Sequence, residues 1–295
     1  MKEKLLQAKW HLIAILTVGI WGTTFISTKI LIGSGLSPQE IFLLRFLMAY
    51  VGIWFISSRR LKADNWKDEG WLLLGGLTGG SLYFLTENTA LGITQTTNVA
   101  FIVCSTPLIT TLLTRLFFPN EKGGPWLLTG SLIALLGVGF LVFNGNFVLK
   151  LSPVGDLLSL SASLLWAFYS LIILKLKGRY STVFITRKIF FYGLLTILPV
   201  FLFQPWHFPL RGLLVPAVWG NLLFLGVLAS LICFAVWNLV LKNLGTLSSS
   251  NYLYLNPLFT TVASLLFLDE RFTWMSLIGA FFVLFGVYIA GKKSK

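Results

Sequence analysis

Acidic residues are scarce in this chain. Only 10 Asp and Glu stand against 23 Lys and Arg, and charged residues of both signs make up 11% of the sequence. Soluble proteins carry about 25%. A surface so poor in charge is not one that water solvates, and the 56% hydrophobic content points to lipid as the solvent. Histidine and cysteine are rarer still, at two each. Cys104 and Cys233 stand singly inside apolar runs, which fits neither a disulfide framework nor a metal site. His11 and His207 fall at the ends of apolar runs and the acids are scattered, so the clustered His, Asp, Glu or Cys of a membrane-embedded enzyme is missing. No phosphate-binding glycine loop or nucleotide-binding segment is found, which argues against direct use of ATP. No cofactor is expected. Nor is a cleavable signal peptide, because the first apolar run is a full span with no small-residue cleavage site after it.

What the chain has in quantity is long apolar runs. Ten can be drawn, at roughly 11–31, 40–57, 71–91, 97–117, 125–144, 154–174, 183–203, 216–238, 248–268 and 273–291. Each holds about 18–23 residues, or ~27–35 Å as helix, enough for a hydrocarbon core of ~30 Å. The runs are continuous and not alternating, which excludes a membrane β-barrel. The expected fold is an all-α membrane protein with ten transmembrane helices and no soluble domain.

The net charge of +13 would suggest nucleic acid in a soluble protein. Here the basic residues concentrate in alternate short loops, as orientation in a membrane requires. With the N-terminus placed in the cytoplasm, sixteen Lys and Arg fall on that side. Three (Lys150, Arg211 and Arg271) fall opposite, and four (Lys29, Arg45, Arg187 and Lys188) lie within spans. The bias puts both termini in the cytoplasm of a cell (inner) membrane, with the Ser34–Glu40 and Asn144–Pro153 loops outside.

The chain also repeats itself. Phe101–Gly137 and Asn251–Gly286 share one design, an apolar span with a central proline, a charged break and a second apolar span. Pro107 matches Pro257, Glu121 matches Glu270, Gly130 matches Gly279 and Gly137 matches Gly286, at an offset of about 150 residues. Residues 1–146 and 147–295 are therefore expected to be two copies of one unit. Five spans per copy is an odd number, so the second copy enters the membrane upside down. Such inverted repeats place a substrate site near the midplane where they meet.

Pro107 and Pro257 each lie ~14–15 Å into their spans, near mid-membrane. Each frees the carbonyl four residues earlier, at Val103 and Leu253. Freed backbone at that depth needs protein packing or a water-lined space. Polar residues cluster beside both: Asn98, Ser105, Thr106 and Thr110 in one copy, Ser250, Asn251, Asn256 and Thr260 in the other. An ordinary kink satisfied by hydroxyls is one reading; the symmetric repetition favours a cavity lining. Trp21 and Trp166 occupy matched mid-span positions (WGTTFISTKI and WAFYSLIILK) and serve either as aromatic walls for a ligand or as core. Tyr83, Tyr169 and Tyr254 add hydroxyls. Gly75, Gly76, Gly79 and Gly80, and the matched pairs Gly130/Gly137 and Gly279/Gly286, are expected to bring helices close together.

Glu87 is the one acid well inside a span, and such a residue calls for a partner. Arg45 and Lys29 lie at similar depth, so a Glu87–Arg45 or Glu87–Lys29 pair is expected, acting as an outer gate. The competing reading is a desolvated, proton-carrying Glu87. In the second copy Arg187, Lys188 and Lys175 recur without an internal counterion, and they serve an inner vestibule or meet lipid headgroups.

The two copies, with central Pro, loop Glu and spaced Gly (NPLFTTVASLLFLDERFTWMSLIGAFFVLFGVYI is the stronger), resemble the EamA-type branch of the drug/metabolite transporter superfamily. The likeness covers nearly the whole chain, including Trp21, Trp166 and the Arg45-Phe46 entry to span two. The FPNEKGGPW loop of the first copy departs from the pattern. The resemblance implies a ten-helix inverted repeat around a central cavity, and export of small metabolites such as amino acids or related compounds. The expected partners are a small-molecule substrate and the bilayer, with no nucleic acid, in a monomer or homodimer. A channel or lipid scramblase is the alternative function.

Overall fold

The computed structural model describes residues 2–57, 60–121, 123–143, 152–267 and 273–292. Glu270, Arg271, Lys122, Lys150 and most of the 144–153 connection lie outside the described residues. Those described form helices and short turns, with no strand among them. Five helical stretches are long and apolar enough to cross a membrane: Ala8–Gly33, Asn98–Phe117, Pro153–Leu176, Thr182–Phe203 and Pro216–Leu244. Shorter apolar helices accompany them.

In chain order the helices are α1 (Lys2–Gly33), α2 (Pro38–Trp54), α3 (Trp66–Gly76), α4 (Leu82–Ile93), α5 (Thr96–Val103), α6 (Thr106–Phe117), α7 (Leu127–Phe143) and α8 (Pro153–Leu176). They continue as α9 (Thr182–Ile197), α10 (Val200–Phe203), α11 (Pro216–Leu223), α12 (Cys233–Leu244), α13 (Thr246–Ser250), α14 (Asn256–Phe267) and α15 (Trp274–Ala290). Several expected spans are interrupted, each for a local reason. Pro107 and Pro257 cannot donate to the preceding turn, so α5 ends before α6 and a 3-10 turn at Asn251–Leu255 leads into α14. Pro199 separates α9 from α10 in the same way. Wide π-helical turns at Leu77–Ser81 and Phe224–Ile232 join α3 to α4 and α11 to α12. Such turns leave backbone groups free for side chains or ligands.

Burial runs opposite to that of a soluble helix. Along α8 the serines Ser159, Ser163 and Ser170 are buried, while Leu157, Leu160 and Leu164 are exposed. The hydroxyls donate to carbonyls of their own helix, one turn back. Where the surrounding solvent is hydrocarbon, leucine costs nothing outside and small polar residues suit the interior.

The halves interlock reciprocally. α4 packs on α8 as α12 packs on α1, α3 on α9 as the 224–232 turn on α2, and α6 on α8 as α14 on α1. α7 and α15 pair directly, and here glycine is needed for close approach. A Cβ on Gly137 would fall 2.5 Å from the Val283 nitrogen, and one on Gly286 would fall 2.4 Å from the Ala134 nitrogen. Gly130 and Gly279 meet the facing backbone just as tightly. The expected packing role of these glycines holds. Gly79 likewise makes room for Tyr169, whose ring would lie 2.3 Å from a Cβ there.

At one end, the Glu40 side chain closes a capping box with Ser37 and also accepts the backbone N–H groups of His207 (2.8 Å) and Phe208 (3.0 Å). One buried carboxylate thereby fixes the start of α2 and the segment before α11.

Candidate functional site

Broken helices from both halves converge on a central cavity of about 50 Å³. Its walls include Trp21, Tyr83, Phe84, Glu87, Trp166 and Phe234. Thr24, Cys104, Thr106 and Asn256 add to the lining. That volume holds about one or two waters.

The aromatic walls contact one another. The Trp21 and Trp166 rings stand edge to face, 5.4 Å apart at 89°. Tyr83 lies 4.9 Å from Trp166, and Phe234 lies 5.5 Å from it. The Trp21 indole N–H donates to the Ala229 carbonyl at 3.0 Å, inside the Phe224–Ile232 turn. Among the described residues, the buried Trp166 indole N–H has no partner, and neither has the amide oxygen of Asn256.

Glu87 is 8% exposed. One of its oxygens accepts the Tyr83 hydroxyl at 2.7 Å, a turn away on the same helix face. The expected ion pair does not form. No contact within 4 Å joins Glu87 to Arg45 or Lys29 among the described residues. Both cations are occupied elsewhere. Arg45 donates from Nε to Ser230 at 2.9 Å and stacks on Phe84 at 4.2 Å, within electrostatic reach of Glu87. Lys29 donates to the Leu91 carbonyl at 2.6 Å, near the C-terminus of α4, where a cation suits the helix dipole.

Of the other residues singled out in the sequence, Pro107 and Pro257 break their helices beside the cavity without forming its wall. The Val103 carbonyl that Pro107 frees accepts the Thr106 hydroxyl at 2.6 Å, the ordinary kink solution. Asn98 is buried outside the lining. Tyr169 donates to Asn238 at 2.7 Å, and Asn238 donates to Thr186 at 2.9 Å. Asn238 corresponds to Asn88 at the 150-residue offset, and Trp237 stands where the first half has Glu87. Asn251 accepts the Ser131 hydroxyl of α7 at 3.1 Å and Tyr254 is fully buried; neither is in the cavity lining. Phe84, Phe234 and Cys104 were not singled out as wall residues from sequence, because an apolar residue in an apolar run carries no signal of which way it faces.

The second cluster has the counterion that sequence reading did not find. Glu69, in the first turn of α3, pairs with Lys188 and accepts the Tyr192 hydroxyl. Beside it Asp68 accepts Arg179 at 2.9 Å and Tyr180 at 2.8 Å. Arg187 donates to the Arg60 carbonyl and lies 4.8 Å over Trp54, and Lys175 lies 4.4 Å over Trp71. Glu69 precedes the apolar run at 71–91, which is why it passed as a loop residue. These bonds join the start of α3 to α9 and the α8–α9 turn. A groove of about 730 Å³ opens alongside.

Comparison with known proteins decides the family. The model of the EamA-like transporter family matches the chain twice, over residues 8–143 and 153–291. The chain belongs to the EamA-like transporter family. It is a multi-pass membrane transporter of the drug/metabolite type. A transporter of Archaeoglobus fulgidus without assigned function is 28% identical over 98% of this chain and 99% of its own length. A probable amino-acid metabolite efflux pump of Escherichia coli is 24% identical over 96% and 95%. A solved crystal structure with 20% identity superposes with a TM-score of 0.75 over 96% of each chain, a likeness of fold. Within the EamA-like frame, the resemblance that rested on central Pro, spaced Gly and the Trp pair extends through both halves.

Proposed function

We propose that the protein is a secondary transporter, not an enzyme, that exports a small metabolite, an amino acid or a related compound, by alternating access. Its ten passes form two inverted five-helix repeats, residues 1–146 and 147–295, in the cytoplasmic membrane with both termini inside. One observation carries the reading: a cavity lies between the broken helices and is walled by both family-matched stretches. The reciprocal packing of α4 on α8 and α12 on α1 supports the repeat, and the basic-residue bias supports its inversion. The name of the Escherichia coli relative supports amino-acid metabolites as cargo. Trp21, Tyr83 and Trp166 form the substrate wall, while Asn98, Pro107, Tyr169, Asn251, Tyr254 and Pro257 hold the helices that carry it. Glu69–Lys188 and Asp68–Arg179 hold one end of the pathway shut and exchange partners when it opens.

Reconstitution tests this. Uptake of labelled amino acids into proteoliposomes is expected to saturate and to be accelerated by unlabelled substrate on the far side. Flux that rises linearly with concentration belongs to a channel or scramblase and would exclude a carrier. Single cysteines at Ser34 and Lys62 are expected to react with an impermeant reagent from opposite faces.

A further inference from the structure

Five of the groups that meet around the cavity have a chemistry in common. Trp21, Tyr83, Phe84, Trp166 and Phe234 present ring systems, and aromatic rings attract cations as well as apolar surface. Among them stands one carboxylate, Glu87, whose only bond is to a neutral hydroxyl. A carboxylate in an apolar enclosure is costly to keep without a counter-charge, and Arg45 and Lys29 are bonded to other groups. Arg45 is not part of the cavity lining; it sits against the Phe84 ring. Asn256, in the same wall, has an amide oxygen with no donor. Among the described residues the Glu87 carboxylate has one neutral donor and the Asn256 oxygen has none, and the surfaces between them suit a cation.

We propose that the cavity recognises the ammonium group of its substrate, with Glu87 as the counter-ion, Asn256 as a second acceptor and the aromatic rings enclosing the adjoining apolar body. The inference rests on the cavity being the substrate site. It adds the substrate's charge and the residue that reads it. The ammonium can belong to a monocationic amine or to a zwitterionic amino acid. In the second case the unused Trp166 N–H and the nearby Arg45 supply the donors and positive field that a carboxylate needs.

The test uses purified full-length protein and four probes that share one ring: phenethylamine (cation), L-phenylalanine (zwitterion), phenylacetate (anion) and 2-phenylethanol (neutral). Binding is read as thermal stabilisation, which grows with ligand concentration over Kd. At least one ammonium probe is expected to stabilise the wild type, with phenylacetate and 2-phenylethanol at least tenfold weaker. Stabilisation by phenethylamine alone assigns a monocation, and by phenylalanine alone a zwitterion. Glu87→Gln is expected to weaken the ammonium probe at least tenfold. The ranking of probes on the wild type stands as a test even if that variant does not fold. The proposal is overturned if the anion or alcohol binds as tightly as either amine, if Glu87→Gln binds the amine unchanged, or if no probe binds. Proteoliposome exchange separates the two readings. Binding of an amine without flux faults the transporter and leaves the ammonium site standing; flux of only the anion or alcohol does the reverse.

Discussion

In residues 8–143 a π-helical turn, Leu77–Ser81, leads into Tyr83, Phe84 and Glu87; in residues 153–291 the matching turn, Phe224–Ile232, leads into Cys233, Phe234 and Asn238. The backbone device is the same and the polar residues are used differently. Asn238 is consumed by Tyr169 and Thr186, whereas Glu87 has only Tyr83 and borders the cavity. The tryptophans divide the same way. Trp21 bonds a carbonyl of the opposite half's π turn, and the Trp166 N–H bonds nothing among the described residues. The cations are also used differently, since Lys188 has an acid and Arg45 has none within 4 Å among the described residues. The two family-matched stretches share a frame in which some polar groups close the structure and others are less engaged. Two of the less engaged groups, Glu87 and Trp166, both border the cavity.

The largest effect is expected where the two stretches cannot differ at all. Gly137 and Gly286 occupy equivalent places in the α7–α15 contact, with backbone on backbone. A leucine at either has no flexible neighbour to displace, so the cost exceeds the ~1–3 kcal/mol usual for overpacking. Gly137→Leu and Gly286→Leu should each abolish recovery of monodisperse protein on size exclusion. Normal recovery of one and loss of the other would break the equivalence.

Next comes the cation that found a partner. Lys188→Met strands Glu69, whose side chain is only 15% exposed, at a cost of about 3 kcal/mol. Adding Glu69→Gln should return most of that, because the double variant leaves no uncompensated charge. Thermal unfolding of the two variants in one detergent measures the recovery, and an additive loss would mean that the pair contributes nothing.

The tryptophans offer a cleaner contrast, because Trp→Phe removes nearly the same volume from both. Trp21→Phe also leaves the Ala229 carbonyl without its indole donor, whereas Trp166→Phe strands nothing. Trp21→Phe should therefore be the less stable by about 1–2 kcal/mol. Trp166→Phe should instead show its main effect on ligand binding. Equal melting temperatures would say that the Trp21 hydrogen bond adds no stability.

Much of this frame can be read from the chain by itself. Apolar runs locate most of the helices, although α1 starts nine residues before its run and α12 ends six after its own, and the central prolines mark where helices break. The spaced glycines mark α7 and α15. What escapes is what depends on rotation about a helix axis. Nothing in FAVWN says that Phe234 faces the cavity and that Asn238 is already engaged. Equal depth along two helices is a necessary condition for an ion pair, and it led to a Glu87–Arg45 pair that does not form. Depth fixes one coordinate, and Arg45 turns to Ser230 and Phe84 instead. Glu69 escapes for another reason: it stands just before its apolar run, where a charged residue reads as an interfacial loop. The π turns have no sequence signal beyond their glycines and small residues.

The smallest change in stability is expected at Glu87. Replacing its carboxylate by an amide keeps an acceptor for the Tyr83 hydroxyl, so the bond at 2.7 Å survives in kind. It removes a buried charge that no ion pair compensates, which favours the folded protein. It also removes the favourable field at Arg45, which opposes that gain. The two terms have opposite sign and neither involves a broken contact, so Glu87→Gln should change stability by no more than about 1 kcal/mol. Were Glu87 instead the buried half of an ion pair, the same variant would strand a cation and cost about 3–5 kcal/mol. Thermal or denaturant unfolding of ligand-free Glu87→Gln separates these values. A small change leaves the acid available to a ligand. A large one would show that Glu87 already has its counter-charge, and that the first half is closed at this position as firmly as the second.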